Sequence, residues 1–185
     1  MLKRAASFAI IKEMEREVPC VQMQTLLPDC SVRKLQPVNA DIEKIYAIAS
    51  QNTLFYQYHP PFVTWQSILD DMSALPPGKT MADKFYIGFF DGAALAAVVD
   101  MILAYPNETT GYIGFFMVDK SRQGQGTGIE NTMRNNGMCH SRLAVDKGNP
   151  QSYSFWTKNG YAVCGPEIPN DFSAYIPMQK ELTPL

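Results

Sequence analysis

The sequence is poor in the residues that metal sites and disulfide frameworks require. It has four cysteines (Cys20, Cys30, Cys139 and Cys164) and two histidines (His59 and His140) among 185 residues. No two cysteines show the short paired spacing of a zinc ribbon, and neither histidine completes a ligand set. Cys139 and His140 are adjacent, an awkward arrangement for two ligands of one ion. No metal is therefore expected, and the thiols read as reduced and semi-buried, which points to a cytoplasmic protein. Long apolar runs are also missing. The longest, Ala93 to Tyr105, is interrupted by Asp100 and falls short of the roughly 20 residues that a membrane-spanning helix needs. Nor is there a surplus of positive charge. Sixteen basic against 18 acidic residues leave a net −2, which argues against a nucleic-acid binder relying on overall charge. No internal repeat or low-complexity tract occurs. Neither a membrane nor a nucleic acid is expected as a partner.

What is present suits one soluble domain with a sizeable core: 46% of residues are hydrophobic and 18% charged. Lys3 and Arg4 precede an apolar Ala5 to Ile11, but Lys12, Glu13, Glu15 and Arg16 follow at once, without a small-residue cleavage site. Leu2 to Glu15 thus reads as an amphipathic helix and not an export signal. Residues 1–30 form a helical arm in this reading, and residues 31–185 the domain proper.

Along the domain, Ser31 to Leu35 is expected as a strand, and Asn39 as the cap of a helix over Ala40 to Ser50. The stretch Leu54 to Pro61 reads as an aromatic loop. Thr64 caps a second helix to about Ala74, which Pro76-Pro77-Gly78 stops. Strands follow at Lys84 to Phe90, Ala93 to Tyr105 and Thr110 to Val118, with Asp91-Gly92 as a hairpin turn. These strands are apolar on both faces, so helices must cover both. A glycine-rich loop then leads to a helix over Gly128 to Asn136. Arg142 to Asp146 is a strand, Asn149-Pro150 opens a helix to about Asn159, and Tyr161 to Cys164 and Ala174 to Met178 close the domain. The order describes a mixed α/β sheet.

The chemistry lies in Val118-Asp119-Lys120-Ser121-Arg122-Gln123-Gly124-Gln125-Gly126-Thr127-Gly128-Ile129. A buried strand runs into three glycines at alternate positions, and a helix starts there. Glycines let a ligand approach the main chain closely, and bare amides at a helix start donate to phosphate oxygens. Lys120 and Arg122 add positive charge. A phosphate-bearing ligand is expected. A Walker loop would need Lys followed by Ser or Thr where Ile129-Glu130 stand. A dinucleotide fingerprint would need glycine at 127 or 129; Asp146 does fall near the distance of a ribose-binding acid, so that reading stays open. So does a connector without a ligand.

Beyond these local signals, Gln123-Gly124-Gln125-Gly126-Thr127-Gly128 resembles the acyl-CoA loop of the GNAT superfamily of N-acetyltransferases. Asn149-Pro150-Gln151-Ser152-Tyr153-Ser154-Phe155-Trp156-Thr157-Lys158-Asn159-Gly160-Tyr161 resembles that family's second signature, and Tyr175 to Leu182 its last strand. The resemblance covers Ser31 to Leu182 and leaves residues 1–30 outside. It implies a mixed, mostly antiparallel central sheet flanked by helices on both faces. It further implies transfer of an acetyl group from acetyl-CoA directly to a primary amine of a small molecule or peptide, by a monomer or homodimer. The pantetheine arm would pair with Phe116, Met117 and Val118. The diphosphate would sit on Arg122, Gln123, Gly124, Gln125, Gly126, Thr127 and Gly128, with Asn149, Ser152, Phe155 and Lys158 flanking the cofactor. A backbone N–H near Val118 would polarise the acyl carbonyl. Tyr56, Tyr58 and His59 occupy the segment that shapes the acceptor pocket. Two departures stand out. The family's tyrosine acid aligns with Trp156, whose indole is a donor but not a usable acid, and the stretch from Gly128 to Leu143 is short, which clips the helix after the loop. A non-catalytic acyl-CoA-binding or regulatory module is the alternative.

From the residues themselves, the acceptor amine needs a base. Asp100 is the one carboxylate inside an apolar strand, where desolvation raises its pKa toward a useful range. A structural aspartate hydrogen-bonded within the fold is the competing reading. Trp156 and Tyr153 share a helix face and could wall a pocket or pack the core.

Overall fold

The computed structural model describes residues 30–122 and 129–183. The N-terminal arm and the loop segment Gln123 to Gly128 lie outside the described residues.

The strands are β1 (Cys30–Lys34), β2 (Lys84–Asp91), β3 (Ala94–Ile102), β4 (Thr110–Val118), β5 (His140–Asp146), β6 (Ala162–Val163), β7 (Ile168–Pro169) and β8 (Ala174–Glu181). The helices are α1 (Asn39–Ala49), α2 (Thr53–Tyr58), α3 (Trp65–Ser73), α4 (Ile129–Asn135) and α5 (Pro150–Lys158). One sheet carries the strands in the order β1-β2-β3-β4-β5-β8-β6, with β7 also on β8. Among the described strands every pairing is antiparallel except β4 with β5.

The apolar runs explain the layering. Leu95 to Ile102 are all buried, as a strand must be when both faces are covered. On one face, Phe85, Ile87, Phe89, Val99, Met101, Ile113 and Leu143 pack with Ile129 and Met133 of α4, and Trp156 of α5 joins them. On the other, Tyr86, Phe90, Val98 and Met117 pack with Ile42, Ile45 and Ile48 of α1 and Ile68 and Met72 of α3. The expected two-sided cover is observed.

Local chemistry sets most boundaries. In the β2–β3 hairpin, Asp91 pairs with Ala94, so the turn residues are Gly92-Ala93, one place later than expected. Gly92 has φ +57°, the left-handed conformation that glycine adopts without strain. Thr64 and Ser67 form a reciprocal capping box on α3. Asn39 does not cap α1: the cap position is Val38, which has no side-chain bond. Asp41, in the first turn, does the ordering instead. It is buried, accepts the Gln36 N–H at 2.8 Å and pairs with Arg33, tying the end of β1 to the helix. The aromatic segment expected as a loop is partly helical, because the Asn52 side chain accepts from the Phe55 N–H and starts α2. The short β7 was not expected. Helix α4 spans seven described residues and stops at Gly137, φ +79°, in line with the expected short helix.

Candidate functional site

Strands β4 and β5 pair only from Thr110 with His140 to Ile113 with Leu143. Beyond that the two strands part, and among the described residues no strand pairs with the edge of β4 from Gly114 to Val118 on the β5 side. Alternate residues of an unpaired edge turn their N–H and C=O groups outward, here into the opening. A cavity of about 640 Å³ fills the gap and is lined from both faces of the sheet. On the α5 side its wall is Phe116, Val118, Ser152, Phe155 and Trp156. These rings form one cluster, with centroids of Phe116 and Trp156 5.8 Å apart and of Phe155 and Trp156 4.9 Å apart. On the opposite side the wall is His59 at the end of α2, Asp71 of α3, Asp100 of β3, and Tyr112, Asp146 and Tyr175.

A bulge in β4 shapes the join between the two sides. Asp100 pairs with Phe115 and Met101 with Ile113, which leaves Gly114 as the extra residue. A Cβ on Gly114 would lie 2.8 Å from Asp100 Oδ2, so only glycine lets that carboxylate sit there.

Asp100 is held by Lys84. Lys84 Nζ donates to Asp100 Oδ2 at 2.7 Å and to the Ala74 carbonyl at 2.9 Å, and the lysine side chain is 1% exposed. The second oxygen, Oδ1, is buried without a hydrogen-bond partner. Burial, opposed by Lys84 and helped by the charge of Asp71, pushes the Asp100 carboxyl up to about 6. Desolvation also raises the Asp71 carboxyl. Across the opening, His59 Nδ1 donates to Asp146 Oδ1 at 3.0 Å, and that bond raises the imidazole pKa against the opposing effect of burial. Asn149 caps α5 by accepting the Ser152 N–H at 3.0 Å, while its own Nδ2 is buried with no partner.

No family model matches the chain, and no curated protein matches it in sequence. Solved structures do match in three dimensions. An acetyltransferase from Thermus thermophilus superposes with a TM-score of 0.61 at 16% identity, over 86% of this chain and 100% of its own. The PaiA N-acetyltransferase from Thermoplasma acidophilum, solved in complex with coenzyme A, gives 0.56 at 19% identity, over 82% and 98%. A GCN5-related N-acetyltransferase from Kribbella flavida gives 0.56 at 16% identity, over 83% and 98%.

The fold is that of the GNAT acetyltransferases.

Within this GNAT fold the parted strands bring together much of what the sequence pointed to. Phe116, Met117, Val118, Ser152 and Phe155 line the cavity together with Asp100, Trp156 and His59. Met117 turns its side chain into the α1–α3 core and receives a contact from Asn52 Nδ2 at 3.8 Å. Asn149 is buried at the foot of α5, and Lys158 lies at the far end of that helix, off the cavity wall. Tyr56 and Tyr58 are not on the wall. Tyr56 packs edge-on against Phe55, with its hydroxyl pushed up to about 12 by burial, and Tyr58 lies over Gly148. Arg122 ends a short 3-10 turn at Lys120–Arg122, and Gln123 to Gly128 lie outside the described residues.

The dinucleotide reading fails on topology: β4 and β5 are the one parallel pair among the described strands, and Asp146 is bonded to His59. Lys84, Asp71 and Tyr175 were missed as wall or partner residues. A signal for Lys84 existed. The hairpin register places Tyr86 opposite Asp100, which makes Lys84, two residues away on the same face, a diagonal neighbour. Asp71 and Tyr175 carried no local signal.

Proposed function

We propose that the protein transfers an acetyl group from acetyl-CoA directly to a primary amine. The observation that carries this reading is the open edge of β4 facing a cavity lined from both sides of the sheet. A pantetheine arm is an extended chain bearing amides, and it can pair with main chain from Phe116 to Val118 as a strand would. The buried, unpartnered Nδ2 of Asn149 supplies a donor beside that path, since an orphaned donor is costly unless a ligand satisfies it. The resemblance assigns the diphosphate to the loop after Val118, ending at Gly128. A backbone N–H at Val118 serves as donor to the acyl oxygen as charge develops on it.

Asp100 is the proposed acceptor of the first proton. Asp100 lines the cavity, its Oδ1 is buried with no hydrogen-bond partner, and a carboxyl pushed up to about 6 is a better base than an ordinary aspartate. Trp156 walls the cavity and does not act as an acid. A thiol with an ordinary pKa of about 8.5 can leave as thiolate without one. Tyr56 and Tyr58, within α2, do not line the cavity, and His59 meets the acceptor. Cys139 and Cys164, expected to be semi-buried, are exposed; a reducing compartment such as the cytoplasm suits such thiols. No helix among the described residues is long and apolar enough to cross a membrane.

The test is calorimetric titration with acetyl-CoA, followed by a thiol-release assay over a panel of primary amines. Binding with turnover of at least one amine supports the reading. Binding with no turnover favours the non-catalytic acyl-CoA-binding module, for which Trp156 at the tyrosine position speaks. Absence of binding removes both.

A further inference from the structure

Converting an ammonium into an amide removes two protons from one nitrogen. In the reaction proposed above, R–NH3+ and acetyl-CoA give R–NH–CO–CH3, a thiol and one proton. The nitrogen–carbon bond forms, the carbon–sulfur bond breaks, and its electron pair leaves on sulfur. One of the two protons ends on that sulfur and the other in solvent. Asp100 can hold only one of them at a time. A second acceptor on the same side of the cavity would let both leave the nitrogen within the site.

The opening between the parted strands holds such a group. His59 stands at the C-terminal end of α2, and Asp146 is the last residue of β5. Their bond reaches from the helices packed on β1–β4 to the strand on the far side of the gap, with Nδ1 3.0 Å from Oδ1 and 3.2 Å from Oδ2. Asp146 is 7% exposed, and His59 is its side-chain partner among the described residues. A buried carboxylate that accepts from Nδ1–H fixes the tautomer, so the lone pair of the neutral ring sits on Nε2. Nε2 makes no hydrogen bond among the described residues, and the ring lines the cavity.

We propose that His59, with Asp146 as its positioning residue, takes the second proton, the one on the nitrogen that has bonded to the acetyl carbon. This rests on the acetyltransferase reading. The ring is faced by Asp146 from β5, by Asp71 from α3, by the Tyr175 ring of β8 at 6.2 Å and by Phe55 of its own helix at 5.0 Å. Both carboxylates favour the imidazolium. The imidazolium therefore persists to higher pH than in an ordinary histidine, and the accepting form grows as pH rises.

The experiment measures acetyl transfer from acetyl-CoA to n-butylamine, or to the panel amine turned over fastest, from pH 5.5 to 9. The histidine ring signals are titrated by NMR in parallel. The chain has two histidines, so His140→Gln assigns the spectrum. In the unaltered protein, kcat should rise with pH along a limb that coincides with the His59 titration. His59→Gln should lower kcat about 100-fold and erase that limb, with acetyl-CoA affinity unchanged. Asp146→Asn should move both the limb and the His59 titration to lower pH. Asp100, with its carboxyl pushed up to about 6, gives a limb of its own at lower pH in both proteins. A limb that still lies at the His59 titration in His59→Gln, or the absence of one there in the unaltered protein, overturns the proposal. The second of these comparisons needs no variant to fold. Failure to acetylate any amine instead removes the reading beneath it, a separate result.

Discussion

At the scale of single residues, the site turns on one carboxylate with two different oxygens. Asp100 Oδ2 is held by Lys84, and Oδ1 is buried without a hydrogen-bond partner. Asp100→Asn is expected to lower the acetyl-transfer rate by about 100-fold or more with little change in acetyl-CoA affinity. Thiol-release kinetics beside calorimetry check this, and an unchanged rate would remove Asp100 as base. Lys84→Met probes the same pair through pH. Removing Lys84 leaves desolvation unopposed, so the Asp100 carboxyl should rise above its present value of about 6. The sign for stability follows from linkage. The folded value lies above the unfolded one of about 3.9, so the folded state holds this proton more tightly. The contribution of Asp100 is then full below about pH 4 and is lost as pH rises through the folded value. Lys84→Met should therefore lose more stability than the unaltered protein between pH 5 and 8, and melting curves across that range measure it. Equal pH dependence in both proteins would count against the ion pair.

At the scale of elements, the parting of β4 from β5 and the bulge at Gly114 decide where chemistry can occur. Gly114→Ala places a Cβ against Asp100 Oδ2, and the carboxylate must leave either Lys84 or the cavity wall. We expect a loss of about 1–3 kcal/mol in stability together with a fall in rate, read by denaturant unfolding and by kcat. A fully active, fully stable variant would show that the bulge does not hold the ion pair in place. Much of the element plan was readable beforehand. Apolar runs on both faces announced central strands, Thr64 announced α3, and Asp91-Gly92 announced a hairpin. The misreadings were local competitions. Asn39 sits one place inside α1, where Asp41 and Arg33 do the ordering. Leu54 to Tyr58 follows a good cap at Asn52, which outweighed the nearby prolines.

At the scale of the whole molecule, the sheet opens at one end between β4 and β5, and the acyl donor is expected to fill that gap. Binding to the folded state alone stabilises it by mass action, about 2.7 kcal/mol at 100 times the dissociation constant. For a chain of this size that corresponds to a rise in melting temperature of roughly 5–10 °C. Thermal unfolding with and without coenzyme A measures it. No shift at saturating ligand would mean that the gap is not the binding site.

The sequence by itself indicated the order of strands and helices apart from α2 and β7, the burial of both sheet faces, and the candidates Asp100, Asn149 and His59. Those signals are local: side-chain period, turn residues and caps act within a few positions of the chain. Tertiary structure alone decided where β4 and β5 separate, after Ile113, and that Tyr56 and Tyr58 do not line the cavity. It also decided that His59 meets Asp146, 87 residues later. These depend on how packed layers bring distant elements together, and no short-range preference encodes the distance between two side chains on different elements.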